Sequence, residues 1–389
     1  MGKKPIRLAI VVSHPIQYYV PLYRRLAHRN DIEIKVFFTW HAARESQYDP
    51  GFRQDVAWDI PLTEGYEYEE VPNTARQAGT DHFWGLQNPS LASRVRAWEA
   101  DAVHVTGYAY ASHLSAIHSF YRDRVPVLFR GDSHLIGRRL GISWRLKRIL
   151  LARVFKWVAG CLYVGKNNYD YFRELGVPGS RLFYCPHGIE VERFAEPNDK
   201  LEERARHWRH EIQIPENART LLFAGKFQHG KRPVELMKAV ARIEDPNVVL
   251  IMVGNGELEP EIRQMAAQLP QRFRVLPFQN QSLMPVVYRL GDIFTLPSAG
   301  ETWGLGVNEA MACERRVLIS DKVGCAPDVV TSIDMGEVFT SFDSSDFTRK
   351  LHSLFEARSD PDRIRDTAFR FDVAVTERTL CEALHRIVG

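Results

Sequence analysis

Glu301 and Glu309 bracket the stretch Glu301-Thr302-Trp303-Gly304-Leu305-Gly306-Val307-Asn308-Glu309, a glycine-bearing turn between a strand-like run, 293–296, and a helix-like run through Met311. A turn of this kind delivers free backbone N–H groups to a helix start, where the macrodipole favours a phosphate. The flanking carboxylates are placed to accept bonds from hydroxyls. Together these are the means to hold a nucleotide sugar. The same letters also fit a capped strand-to-helix turn whose two glutamates are simply solvated.

A second group of chemistry-bearing residues follows another strand-like run: Gly225-Lys226-Phe227-Gln228-His229-Gly230-Lys231-Arg232-Pro233. Two ammonium groups in one short loop suit a diphosphate, and fixed cations favour the moment at which a leaving diphosphate gains charge. His229 and Arg232 are secondary candidates. The plain alternative is a solvated basic loop. Gly254-Asn255-Gly256 closes the next strand-like run, where missing side chains let backbone approach a ligand. It is no dinucleotide fingerprint, because position 259 is Glu259 rather than glycine.

The elements that must position these groups alternate along the whole chain. Apolar runs at 7–12, 33–38, 102–106, 125–129, 160–164 and 181–184, and again at 220–224, 247–253, 273–276, 292–296 and 316–320, are separated by helix-length amphipathic segments. This is the rhythm of parallel α/β sheets. A chain of 389 residues exceeds one ordinary core. The expectation is two doubly wound, Rossmann-like domains, 1–190 and 191–370, joined through Pro186-His187-Gly188-Ile189. Ligands then collect beyond the strands' carboxyl ends, in a cleft where the two domains face each other.

Composition narrows the function. With 45% hydrophobic and 25% charged residues and a formal charge of +3, the chain has the balance of a globular enzyme, not of a nucleic-acid coat. Cys161, Cys185, Cys313, Cys325 and Cys381 form no C-x-x-C pair, which argues against a disulfide framework or a zinc site and fits a reducing cytoplasm. Asp360-Pro361-Asp362 has the letters of a metal motif but reads better as a helix cap with proline in the first turn. No metal is expected. No run approaches the ~18 apolar residues of a spanning helix, and the basic opening Gly2-Lys3-Lys4 leads into a strand, so no export signal is expected. The segment 138–157, with Arg138, Arg139, Arg145, Lys147, Arg148, Arg153 and Lys156, is basic and amphipathic; it suits either peripheral contact with anionic lipid or an ordinary helix with solvated cations.

Taken in order, Gly225-Lys226…Lys231, Val253-Gly254-Asn255-Gly256, Pro297-Ser298…Glu301…Glu309-Ala310-Met311-Ala312 and the linker Pro186-His187-Gly188-Ile189-Glu190…Arg193-Phe194 resemble the signature of family-4-type retaining glycosyltransferases of the GT-B fold. The resemblance covers the second domain nearly end to end. It implies an enzyme whose co-substrate is a nucleoside diphosphate sugar, with no metal or other cofactor. On these positions Glu301 would contact the donor sugar, Glu309 the ribose hydroxyls, and the amides from Trp303 through Gly304, Leu305 and Gly306 the sugar and phosphate. Lys226 and Lys231 would grip the diphosphate, with Gly225, Gly254, Asn255 and Phe278 nearby. One departure is Lys226, where the family often has arginine: the charge stays and the bidentate fork is lost. The resemblance also implies that the C-terminal helix, 371–389, packs back on the first domain.

The first domain departs further. Where the family usually carries a glycine-rich loop, this chain has Ser13-His14-Pro15-Ile16-Gln17-Tyr18-Tyr19, similar to a subset of bacterial members with a His-Pro-Ile-Gln-Tyr opening. His14 and Gln17 then face acceptor or phosphate, although Tyr18 and Tyr19 also fit the core stripe of a helix. Where many members place a histidine, this chain reads Phe129-Arg130-Gly131-Asp132-Ser133-His134. Asp132 or His134 is expected at the reacting face, with Arg130 and Trp84 in the acceptor region; the alternative is an Asp/Ser helix cap before Leu135. The function expected is transfer of a sugar to a hydroxyl acceptor in bacterial polysaccharide or glycoconjugate synthesis. A sugar-nucleotide epimerase, a phosphorylase and a non-catalytic nucleotide-sugar-binding module are the alternatives the same residues admit. Base, sugar, acceptor, linkage and oligomeric state are not legible in the sequence.

Overall fold

The computed structural model describes residues 4–40, 47–49, 51–138, 141–341 and 343–389. Gly2, Lys3 and Arg139, singled out above, lie outside them. The chain divides into two compact units, one from residues 1–44, 61–188 and 373–389, the other from 45–60 and 189–372. The excursion 45–60, given to the first domain by its place in the sequence, therefore belongs with the second unit. The reason lies in its side-chain contacts, described below.

From the N-terminus the strands are β1 (Ile6–Val12), β2 (Ile32–Phe38), the short antiparallel pair β3 (Gln47–Asp49) and β4 (Gln54–Val56), then β5 (Tyr68–Glu70), β6 (Ala102–Thr106), β7 (Val127–Arg130), β8 (Gly160–Tyr163) and β9 (Leu182–Tyr184). All except β3 and β4 form one parallel sheet in the order β5-β2-β1-β6-β7-β8-β9. Apolar residues run continuously from Leu8 to Val12 in β1 because both sheet faces are covered. Leu8, Ile10 and Val12 enter one core cluster, and Ala9 and Val11 enter another. β7 starts two residues later than the apolar run suggests, since Pro126 has no N–H for the ladder. The helix Val373–Val388 packs on the helix Val20–Ala27 through Leu380 and Leu384, and Glu377 bridges Arg25 at 2.6 Å and Arg29 at 3.0 Å.

The second unit repeats the architecture with β10 (Arg219–Ala224), β11 (Val248–Val253), β12 (Phe273–Leu276), β13 (Ile293–Leu296), β14 (Arg316–Ser320) and β15 (Gly336–Phe339), all parallel in the order β12-β11-β10-β13-β14-β15. β11 is buried at every residue. In this sheet the strand order reverses between β10 and β13, and in the first it reverses between β1 and β6. Loops leave in opposite directions at such a point and open a crevice beyond the carboxyl ends. β5 and β15 escape a reading based on apolar runs because they are short edge strands carrying Glu69, Glu70 and Gly336. All five cysteines are buried and free.

Candidate functional site

In the second unit the two switch-point loops are tied together. The N–H of Ala299, after β13, donates to the carbonyl of Gly230, after β10, at 2.9 Å. That bond sets Lys231 beside Glu301, and their side chains form a half-exposed ion pair. The turn that carries Glu301 is fastened to the loop after β14: Glu301 N–H donates to Lys322 O, and Gly324 and Cys325 N–H donate back to Glu301 and Trp303 carbonyls, all at 2.9–3.0 Å. Gly304 then turns the chain at φ +100°, where a Cβ would lie 2.9 Å from Val323 Cγ1. The helix Leu305–Ala312 begins immediately afterwards, so the amides of Leu305 and Gly306 have no intrahelical acceptor.

Glu309 lies one turn into this helix and is only 2% exposed. Tyr288 donates its hydroxyl to Glu309 Oε2 at 2.5 Å, and among the described residues Oε1 has no partner. Burial pushes the carboxyl up to about 7, against the smaller opposing effects of the Tyr288 bond and the Arg193 charge. A buried carboxyl with one unsatisfied oxygen is ready for a hydroxyl donor. The Trp303 side chain, by contrast, is core: it is 3% exposed and packs on Phe371 with ring centroids 5.7 Å apart. Its part in the turn is left to its backbone.

Lys226, Asn255 and Phe278 meet the excursion that follows β2. Asp49 accepts from Lys226 Nζ with both carboxylate oxygens at 2.9 Å, and the ammonium lies 4.9 Å from the centre of the Phe52 ring. Burial raises Asp49, but the Lys226 bond, its charge and the amides of Gly51 and Phe52 outweigh that and hold the carboxyl below its ordinary range. Asn255 donates to Gln54 Oε1 at 2.7 Å and accepts from Phe278 N–H at 2.8 Å, while Phe52 packs on the Phe278 ring at 4.6 Å. Gly254 has φ +150°, and a Cβ there would run into the Gly225 carbonyl. Gly254 is thus required by the close approach of two loops. Asp49, Phe52, Gln54 and Tyr288 were not singled out from the sequence. No motif marks them, and three come from a segment far away in the chain.

The first unit treats its expected site residues differently. Arg130 is 2% exposed; it donates to the carbonyls of Cys185 at 3.1 Å and Pro186 at 2.9 Å and stands over the Tyr19 ring at 5.7 Å. It braces the chain beyond β9 and is not open to a ligand, which corrects its assignment to the acceptor region. His134 accepts from Ile136 N–H at 3.2 Å, and no helix starts at Leu135, so the cap reading of Asp132 and Ser133 also falls. His14 bonds Ser13 Oγ at 3.0 Å, and burial holds its imidazole below the usual range. Gln17 is half-buried, and Trp84 is 63% exposed.

Asp132 remains accessible and faces a residue that the sequence reading used only as part of the linker. His187 Nε2 lies 3.8 Å from Asp132 Oδ2. Arg130 Nη2, which can only donate, is 3.4 Å from His187 Nδ1, so the neutral imidazole carries its proton on Nε2, toward Asp132. Burial lowers His187, with the Asp132 interaction working in the opposite direction. Asp360 caps its helix through Arg363 N–H at 3.2 Å, with Pro361 at the helix start. Among the described residues no helix is long and apolar enough to cross a membrane.

Residues 205–371 match the family described as Glycosyl transferases group 1. The chain is similar to a D-inositol 3-phosphate glycosyltransferase of Geodermatophilus obscurus, at 26% identity over 374 residues, 88% of this chain and 77% of that protein. With the protein of the same name from Corynebacterium glutamicum identity is 33%, over 50% of this chain and 48% of that one. Among solved structures, that of Anabaena HepE in complex with UDP and glucose superposes with a TM-score of 0.70 at 15% identity, covering 98% of this chain and all of that one. That likeness is one of fold.

Proposed function

From the premise that this chain is a GT-B-fold glycosyltransferase carrying a glycosyl transferases group 1 domain, we propose that it moves a sugar from a nucleoside diphosphate to a hydroxyl with the anomeric configuration kept. The observation that carries the proposal is the meeting of Lys231 with Glu301 at the second unit's switch point, beside the start of a helix. The two groups form an ion pair, each offering the charge that a donor can take up. A bound donor replaces that pair: Lys231 and Lys226 turn to the diphosphate, the amides of Leu305 and Gly306 face its oxygens, and Glu301 accepts from the sugar. Glu309 takes the ribose hydroxyls with the oxygen left open. The co-crystallised UDP and glucose of the HepE structure support a ligand of this class.

The bond from the anomeric carbon to the diphosphate oxygen breaks, and a bond to the acceptor oxygen forms on the same face. The acceptor's proton goes to the departing diphosphate. No side-chain nucleophile is needed, and the charge developing on the leaving group meets two ammonium groups and a helix start. Asp132, oriented by His187, is assigned to an acceptor hydroxyl. The exposed Trp84 ring suits the face of a sugar, so the acceptor class proposed is a glycan or glycoconjugate precursor.

Two measurements test this. Lys231→Ala should lower turnover by about 10²–10³ with only a modest rise in the donor KM; a variant with unaltered kcat removes the lysine from the reaction. Nuclear magnetic resonance of the first-formed product should show the donor's anomeric configuration. An inverted product rejects the same-face mechanism.

A further inference from the structure

The helix Ile142–Val154 of the first unit has two apolar faces. One is spent: Trp144, Leu151 and Val154 are buried, and Trp144 and Leu151 belong to the core cluster beneath β7 and β8. On the opposite side Ile142, Leu146, Ile149 and Leu150 are 78%, 66%, 55% and 63% exposed. At 100° per residue these four fall within one stripe about 100° wide. Among the described residues they are four of the large hydrophobic side chains most open to solvent, and they stand together. Two of the four cations of the helix accompany them. Arg153 falls within the stripe at the helix's end, and Arg145 lies along its edge. Among the described residues neither side chain makes an ion pair, unlike Arg148, which reaches Glu174 at 2.9 Å. Arg139 lies outside the described residues.

We propose that this outer face docks the protein on an anionic lipid surface, the helix lying in the interface plane with its apolar stripe among the acyl chains. The charge pattern selects that occupant. A second copy of the chain would bring the same arginines against themselves across a two-fold contact, which like charges oppose. Four side chains also fall far short of the roughly 20–30 residues a side of a stable protein interface. An acidic bilayer satisfies both features at once: the stripe gains hydrocarbon and the arginines gain anionic headgroups. The inference does not depend on the donor chemistry proposed for the second unit.

The test is co-flotation of the full chain with vesicles of phosphatidylcholine alone and of phosphatidylcholine with an equal part of phosphatidylglycerol. The wild-type protein should partition onto the anionic vesicles at least about tenfold better, and the advantage should shrink as salt is raised. Leu146→Ser/Ile149→Ser/Leu150→Ser should lose at least about tenfold in partitioning. Arg145→Glu/Arg153→Glu should lose a similar factor on anionic vesicles only. All of these positions are exposed, so melting temperatures should stay at the wild-type value, and the charge pair reports even if the triple variant folds badly. Equal partitioning on the two vesicle types overturns the proposal, as does an undiminished triple variant or a wild-type dimer that the triple variant breaks. Nucleoside diphosphate binding should be the same in every variant, so the lipid result and the donor-site reading fail separately.

Discussion

Both units place polar side chains at or just beyond strand ends, and they differ in how many of those side chains a ligand can still replace. In the second unit Lys226 meets Asp49 and Lys231 meets Glu301, in half-exposed pairs whose partners are single carboxylates. A ligand carrying a diphosphate and hydroxyls offers the same contacts. In the first unit Arg130 is consumed by two buried carbonyls, and Asn168 ties the amide of Val164 to the carbonyl of Ser133. No ligand can substitute for the chain's own backbone there. A polar residue at a strand end thus signals function only when the fold has not already satisfied it.

The sharpest way to break this contrast is Arg130→Met, which keeps most of the volume and removes the donors. The Cys185 carbonyl loses its partner, and the Pro186 carbonyl, which also accepts from Thr376 Oγ1 at 3.1 Å, loses one of two; at roughly 1.5–3 kcal/mol for each bond from a charged donor, unfolding free energy should fall by about 4 kcal/mol. Chemical denaturation measures the loss. If Arg130 is a brace, the folded fraction should bind nucleotide with wild-type affinity. A variant that keeps its stability but loses acceptor affinity would return Arg130 to the ligand-contacting residues.

Much of this was legible beforehand, for a physical reason. Strand runs such as 248–253 announce themselves because burial on both faces leaves no room for polar residues, and the turn at 301–309 announces itself because Gly304 holds a φ of +100° that side chains disfavour. Gly254 is forced for another reason, because a Cβ there would meet the Gly225 carbonyl. What the sequence cannot show is which side chain meets which across long separations. Asp49 reaches Lys226 from 177 residues away, and His187, read only as part of the linker, reaches Asp132. Arg130 looked like a cleft residue because an arginine after a strand has the same letters whether it is braced or free.

Glu309 gives the next largest effect and sharpens the comparison inside the second unit, because its carboxyl is buried where that of Glu301 is not. Its folded value of about 7 stands above the ordinary 4.5, so the folded state holds the proton more tightly. The associated stability is fully present below pH about 4.5 and is lost as pH rises through about 7, in all about 3 kcal/mol. Unfolding of wild type and Glu309→Gln at pH 5 and pH 8 should show the difference, since every other titrating group is common to both. Donor binding carries the opposite sign: ribose hydroxyls favour the carboxylate, so wild-type affinity should rise between about pH 6 and pH 8 and that rise should vanish in the variant. Parallel pH profiles for the two proteins would take Glu309 out of the ribose site.

The smallest expected effect bears most directly on whether the second unit's pairs are placeholders. Asp49 holds Lys226 with two oxygens at 2.9 Å, the geometry a phosphate would use, and the side chains are 26% and 34% exposed. An ion pair open to that degree is worth about 1 kcal/mol. If donor binding must break it, Asp49→Asn should tighten nucleoside diphosphate binding roughly fivefold, measured by isothermal titration calorimetry at low salt, with the gain fading as salt rises. The converse outcome is equally plain. Should Asp49→Asn weaken binding, the excursion 47–60 acts with the donor instead of against it: Asp49 then holds Lys226 in place, and Phe52 and Gln54, already on Phe278 and Asn255, become part of the nucleotide's seat.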